Sequence, residues 1–437
     1  MSVQHRIFAA LLACMVALCG CGKEDAPVAE LPVPEPVPEE VLPPEPEPII
    51  RESTATVAAT GDVLMHLPVI KTGLDSATGE YDFANMFPYF GSYVGAADYA
   101  VANLETTLCG LDNGYPYQGY PRFNCPDGIV DSLKQAGFDM LLTANNHTFD
   151  TGETGFFRTL SVIDQAGLDR IGTNAEMSEP RYCVEEVNGI KLGMICYTYE
   201  TEDDSLERKS LNGIPMSEKA GELINTFSYL RLEEFYTQLQ SHLKAMERDG
   251  AEATILFIHW GNEYQTQENE DQRAMAQRIC DLGVDVIIGG HPHVVQPVDL
   301  LASKTDPAHR TVCLYSMGNA VSNQRLERIP NAKGHTEDGV LFQITFAKYS
   351  DGTVLLESAD VLPTWVNLTT GEETGKTTYE IIPLDKAVED WKSVFTLTDG
   401  ELAEAEASYQ RTMSIVGEGL EEVRQALDSQ PAPAEQE

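Results

Sequence analysis

Residues 287–297 read IIGGHPHVVQP, an apolar run and two glycines leading into His291-Pro292-His293. The chain has nine histidines in 437 residues, so a pair two positions apart is notable. A neutral imidazole offers a lone pair to a metal, and its proton exchanges near neutral pH. Other chemically able groups also follow apolar runs. TGD supplies Asp62, ANLE supplies Asn103 and Glu105, ANNH supplies Asn146 and His147, and FIHWGNEY supplies His259 and Glu263. Carboxylate, amide oxygen and imidazole together suit a divalent cation such as Mn, Zn or Fe. On an extended strand His291 and His293 would face opposite ways. Pro292 and the preceding glycines call for a turn instead, so both rings could reach one cluster.

Taken singly, each residue has an ordinary explanation. Asp62 after Gly61 suits a turn, Asn103 and Glu105 could cap a loop, Asn146 could cap a helix, and His259 beside Trp260 could be a satisfied core histidine. Their joint placement is harder to explain that way. Strand C-termini of an α/β sheet converge on one rim, where ligands bind. Here five successive apolar runs each deliver such a group to their C-terminal end.

The elements that must position them alternate. ATVAATGD (55–62) and ADYAVANLE (97–105) read as strands. DGIVDSLKQAG (127–137) reads as an amphipathic helix stopped by Gly137. FDMLLTANNH reads as a buried strand, followed by a helix over TGFFRTLSVIDQAG. Asn188-Gly189 between alternating runs predicts a hairpin. A helix over 229–248 leads to the strand EATILFIHWG, and one over 270–282 leads to VDVIIGGHPH. TVCLYSMGN (311–319) predicts one further strand, and GVLFQITFA with TVLLESADVL an antiparallel pair. This is the pattern of successive αβ units.

The ordered set GD…ANLE…NNHTFDTG…HWGNEY…GGHPHVVQP…YSMGN resembles the poly-γ-glutamate capsule biosynthesis (CapA-type) family over roughly residues 55–325. That family is related to the calcineurin-like metallophosphatases. The resemblance implies an α/β fold, a four-layer α/β/β/α sandwich, and a two-metal centre. It implies Asp62, Glu105, Asn146, His259, His291 and His293 as metal ligands and His147 as general acid. Asn103, Asp150, Glu263 and Asn319 fall in its motifs without an assigned role. There are departures. The phosphatase pattern Asp-x-His is absent, and His66, four residues after Asp62, either substitutes or points away. Glu105 stands where those enzymes carry a bridging Asp. His147 is followed by Thr148 rather than an acid, which leaves Asp150 to orient it.

Composition narrows the partners. The chain is 42% hydrophobic, enough for a sizeable core, and its net charge is −40. Such acidity argues against nucleic acid, since phosphate backbones are gripped by Lys and Arg. An anionic substrate would need a local positive feature such as a bound cation. At the N-terminus, His5 and Arg6 precede a short apolar run that ends in Leu18-Cys19-Gly20-Cys21. This resembles a bacterial lipobox with Cys21 as the lipidated first mature residue. Lipidation there would anchor the chain to the membrane without a spanning helix. Pro and Glu dominate the segment that follows, which suits an extended spacer. Cys109 and Cys125 flank a Gly/Tyr/Pro-rich loop, and a disulfide between them is expected outside the cell.

The expected organisation is a lipoprotein signal over 1–20, a spacer over 21–53, a CapA-type metallophosphatase-like domain over 54–396, and an acidic helical tail over 397–437. Two functions compete. One is an extracytoplasmic metal-dependent hydrolase. The other is a non-catalytic binding or scaffold lipoprotein for an anionic capsule polymer or for capsule-synthesis membrane proteins.

Overall fold

A computed structural model describes residues 48–201, 208–371 and 375–430. The signal, the Cys21 lipobox and most of the spacer lie outside them. The compact unit spans Pro48–Glu437. Its first strand, Arg51–Val63, begins three residues before the expected domain start, because Arg51 to Thr60 pair with Tyr349 to Leu341 of the strand Asp338–Tyr349.

Two sheets face each other. The first runs Thr377–Pro383, Val354–Thr370, Asp338–Tyr349, Arg51–Val63, Tyr99–Leu104, Met140–Leu142, Asp169–Ile171. Its last four strands are parallel and the others antiparallel. The second runs Val298–Ala302, Arg310–Leu314, Val286–Gly290, Ala253–His259, Ile190–Tyr199, Cys183–Val187, with a parallel centre and antiparallel edges. The Asn188-Gly189 turn joins the last two of these in chain order, with both residues at positive φ as a two-residue hairpin requires.

The side-chain period of two sorts each strand between layers. Ala55, Val57 and Ala59 face the core between the sheets, where Leu192, Met194, Ile255, Phe257 and Leu314 of the second sheet meet them. Ala58, Ala100, Ala102 and Leu141 face outward onto Ile129, Val130, Leu133 and Ile163. Those four side chains belong to the helices Gly128–Ala136 and Gly152–Ala166, each ended by a left-handed glycine, Gly137 and Gly167. On the far side of the second sheet, Leu256, Ile258 and Ile287 pack on Phe235, Leu239, Met275 and Ile279 of the helices Leu232–Arg248 and Glu270–Cys280. The layers are therefore α/β/β/α.

Two expectations need correcting. Residues 311–319 do not form one strand. Arg310–Leu314 ends in the second sheet, and Asn319–Val321 pairs with the first strand of the other sheet, Asp62 opposite Asn319. Buried polar groups at the site, described below, reward that crossing. The acidic helix expected in the tail packs on both sheets. The helix Asp399–Asp428, started by a Thr398/Glu401 capping box, puts Val416 and Val423 into the core between the sheets. It packs on Val354–Thr370 of one sheet and Val298–Ala302 of the other. Arg411 and Ser408 clasp buried Asp338 at 2.7–2.8 Å. The second correction is that Cys109 and Cys125 are free and buried. The loop between them is closed by buried Asn124 instead. Its Oδ1 accepts the Cys109 N–H at 2.8 Å and its Nδ2 faces the carbonyls of Gly110, Tyr115 and Pro116.

Candidate metal centre

Both sheets end at the same place, and the chemically able residues meet there. Asp62, Asn103, Glu105 and Asn146 come from the first sheet. His259, His291 and His293 come from the second. The rim is thus shared between two sheets rather than drawn along one. The central residue is Glu105, wholly buried, with neither carboxylate oxygen hydrogen-bonded. Around its Oε1 stand His259 Nε2 at 3.5 Å, His147 Nε2 at 3.9 Å and His293 Nε2 at 4.0 Å.

Two ligand sets share this carboxylate. One is Asp62, Glu105 and His293; the other is Glu105, His259 and His291, each with ligand atoms within 4.8 Å of one another. Asn146 Oδ1 lies 2.8 Å from His259 Nε2, which adds an amide oxygen to the second set. A buried carboxylate without a partner is costly. Its burial, with Asp62 and Glu263 nearby, pushes its pKa well up. Cations between the sets would satisfy both oxygens and the unpartnered Nδ1 of His291. The donor set therefore fits a divalent metal.

The local backbone explains how His291 and His293 reach one centre. Both have positive φ, 95° and 57°, conformations that non-glycine residues adopt at a cost. That turn brings their ring centroids within 6.0 Å. The preceding Gly290 leaves room for Asp62, since a Cβ there would lie 3.2 Å from Asp62 Oδ1.

Electrostatics set the charge of each group differently. Burial pushes His259 down to about 3 and His291 well below the usual imidazole range, so both rings are neutral. Burial would raise Asp62, but the His293 hydrogen bond and charge outweigh it and hold the carboxyl low. Burial likewise opposes charge on His293, and the Asp62 partner at 3.0 Å raises it nonetheless.

His147 stands apart from the ligand sets. Its Nδ1 lies 2.7 Å from Asp150 Oδ2, and its Nε2 faces Glu105. Asp150, left by the sequence as a residue that could orient His147, is the carboxylate bonded to its ring. His66 belongs to neither set. Its Nδ1 faces the Leu64 carbonyl and the Asn323 N–H, and its ring meets Phe123 edge-on.

Asn319 holds the last ligand in place, its Oδ1 3.1 Å from His293 Nδ1 and its Nδ2 donating to the His293 carbonyl. This is what the crossing between sheets accomplishes. Three other residues went unread in the sequence. Asn145 relays Asp62 to His147: Asn103 Nδ2 donates to Asp62 Oδ1, Asn145 Nδ2 donates to Asn103 Oδ1, and His147 N–H donates to Asn145 Oδ1. The signal was its place at the strand end beside Asn146. Tyr199 ends the strand next to His259 and lays its ring parallel to that imidazole, 6.4 Å away. Asn212, in the hairpin of Ser210–Leu211 with Ile214–Pro215, accepts from Asn146 Nδ2 and approaches His147 Nδ1. Its position depends on tertiary packing and leaves no sequence signal. His242, His309 and His335 are bonded elsewhere, to Tyr197, Val284 and Glu337.

The family description "Bacterial capsule synthesis protein PGA_cap" matches residues 56–324, more than half of the chain. This chain belongs to that family. It is 27% identical over 312 residues to the capsule biosynthesis protein CapA of Bacillus anthracis, covering 70% of this chain and 66% of that one. It is 25% identical over 312 residues to the PGA biosynthesis protein CapA of Bacillus subtilis (strain 168), covering 71% and 72%. It thus spans about two thirds of the length of the first of these relatives. Among solved structures, the NAD nucleotidase of Haemophilus influenzae superposes with a TM-score of 0.42 at 10% identity, over 86% of this chain and 60% of that one. The PGA_cap match covers every residue of both ligand sets.

Proposed function

We propose that this PGA_cap member is a metal-dependent hydrolase, acting on an anionic substrate of polyglutamate-capsule synthesis and held at the outer face of the membrane by a lipid on Cys21. The observation that carries the reading is Glu105, a buried carboxylate with no hydrogen-bond partner set between two histidine-containing ligand groups. A purely structural carboxylate would be hydrogen-bonded or replaced by an apolar residue. Asp62 and His293 with Glu105 would hold one cation; His259, His291 and Asn146 with Glu105 would hold the other. Bound divalent cations would supply Lewis acidity towards an anionic substrate oxygen and lower the pKa of water.

The remaining chemistry belongs to the chain. Asp150 accepts the His147 Nδ1 proton, which leaves Nε2 facing the centre. In the imidazolium form Nε2–H gives its proton to the leaving atom while Asp150 holds Nδ1–H and the ring's orientation. The Phe123 N–H fixes the carboxylate from behind at 2.6 Å, and the Phe123 ring packs edge-on against the imidazole. The buried surroundings strengthen each of these interactions.

The test is metal content and turnover of the purified full chain. It should bind two equivalents of a divalent metal and cleave either model phosphoesters or γ-glutamyl amides. Metal binding without turnover on either class would make it a binding scaffold instead. Cys21→Ala should release the protein from membranes, and unchanged membrane association would refute the anchor.

A further inference from the structure

Glu263 is used by neither ligand set, yet its carboxylate lies beside both. One carboxylate oxygen is within 4.8 Å of a ring nitrogen of His291 and of His293. These two histidines belong to different sets, and buried Glu105 joins the same sets from the protein interior. Glu263 is exposed, so it approaches from solvent.

The loop carrying it is tied to the histidine turn. Trp260 N–H donates to the Gly290 carbonyl at 3.1 Å, and Tyr264 N–H to the Pro292 carbonyl at 2.7 Å. Gly261 N–H donates to Tyr229 Oη at 3.0 Å, and the Tyr264 carbonyl accepts from Lys333 N–H at 2.8 Å. Tyr264 takes φ 63°, a left-handed conformation that costs a non-glycine residue on the order of 1 kcal/mol. Such strain persists where surrounding contacts over-determine it, often at functional sites. His291 Nδ1 adds an independent sign: it is buried without a partner in a residue only 5% exposed.

We propose that Glu263 is a solvent-side metal ligand shared by the two sets, which fills open coordination positions at rest and is displaced by an anionic oxygen of the substrate. The inference rests on the metal-centre reading above. Exposure gives Glu263 the freedom to swing away that Glu105 lacks. Exchanging one anion for another also keeps the charge at the centre balanced, so a phosphate or carboxylate could enter a strongly acidic protein.

The experiment is Mn2+ titration of the full chain by calorimetry and by electron paramagnetic resonance, which reads magnetic coupling between two ions. Inorganic phosphate is the anionic probe. Glu263→Gln should keep the coupled pair, weaken Mn2+ binding on the order of tenfold, and bind phosphate more tightly than the parent. Glu263→Asp, one methylene shorter, should fall between. Glu105→Gln should lose the coupled pair. If the parent binds coupled Mn2+ but Glu263→Gln changes neither Mn2+ nor phosphate affinity, Glu263 is only a rim residue and the proposal fails while the metal centre stands. If the parent binds no Mn2+, the metal-centre reading itself fails and takes the proposal with it.

Discussion

His147 Nδ1 lies 2.7 Å from Asp150 Oδ2, and the same carboxylate oxygen accepts the Phe123 N–H at 2.6 Å. Asp150 is therefore held from two sides and in turn sets the imidazole. Both residues sit outside the ligand sets, so proton transfer and metal binding should separate on mutation. Asp150→Asn keeps the shape but replaces the carboxylate that accepts from His147 Nδ1–H and orients the ring. Turnover should fall on the order of 10²–10⁴-fold, with metal content unchanged. The loss should shrink for substrates whose leaving group needs no proton. A variant that sheds its metal would place Asp150 among the ligands and refute this division of roles.

Glu105 makes a prediction about stability and pH. Burial raises its pKa well above the ordinary 4.5, so the folded protein without metal resists its ionisation. The sign follows from linkage: the stability is present below the unfolded pKa and is lost as pH rises towards the folded one. Glu105→Gln removes the penalty. Metal-free Glu105→Gln should therefore melt higher than metal-free parent, and the gap should open as pH climbs above about 4.5. Mn2+ should reverse the order. At a hundredfold excess over its Kd the parent should gain about 2.7 kcal/mol, and the variant little. Equal melting of the two metal-free proteins across pH 4–8 would mean the carboxylate is not penalised.

The residues of the candidate centre were legible because strand ends and rare residue types coincide in the sequence. An apolar run announces a strand, and its first polar group announces the rim. The pattern could not say that the rim is divided between two sheets, because strand neighbours are chosen by packing between distant segments. Residues 311–319 show the limit. Their apolar pattern continues past Leu314, so it reads as one strand. The chain instead leaves the second sheet there and takes Asn319 across to pair with Asp62. Asn212 was beyond reach for the same reason, since only the folded hairpin brings it to Asn146 and His147. The Gly/Tyr/Pro loop suggested a disulfide by its flanking cysteines alone. Asn124, which closes it, looks like any loop asparagine until its four hydrogen-bond partners converge.

That loop gives the third prediction. With Asn124 fully buried, Asn124→Ala strands the Cys109 N–H and the Gly110 carbonyl away from water. Unfolding free energy should drop by about 1–3 kcal/mol. The parent chain should melt alike in oxidising and reducing buffer, because no cross-link is there to lose. Mass spectrometry of the native protein should find both thiols unmodified until it is unfolded. A Cys109–Cys125 cross-linked peptide would overturn the hydrogen-bonded closure.

The last prediction concerns the C-terminal helix, whose two neighbouring glycines should behave oppositely. Gly417 lies in an open stretch, where an added Cβ would meet only Met413 Cε at 3.9 Å. Alanine loses less backbone entropy in a helix than glycine does, so Gly417→Ala should stabilise by about 0.5–1 kcal/mol. Two residues on, a Cβ on Gly419 would fall 1.6 Å from the Val298 carbonyl oxygen. That oxygen belongs to the edge strand of the second sheet and cannot swing aside like a side chain. Gly419→Ala must push the helix off the sheet and loosen Val416, Leu420 and Val423, which are wholly buried. It should cost several times what Gly417→Ala gains, read as a drop in Tm of the full chain. If the helix were a detached acidic tail, both substitutions would raise helix propensity equally and leave the Tm of the sandwich unmoved. A lowered Tm for Gly419→Ala alone distinguishes a helix that seals the gap between the sheets from one that merely follows them.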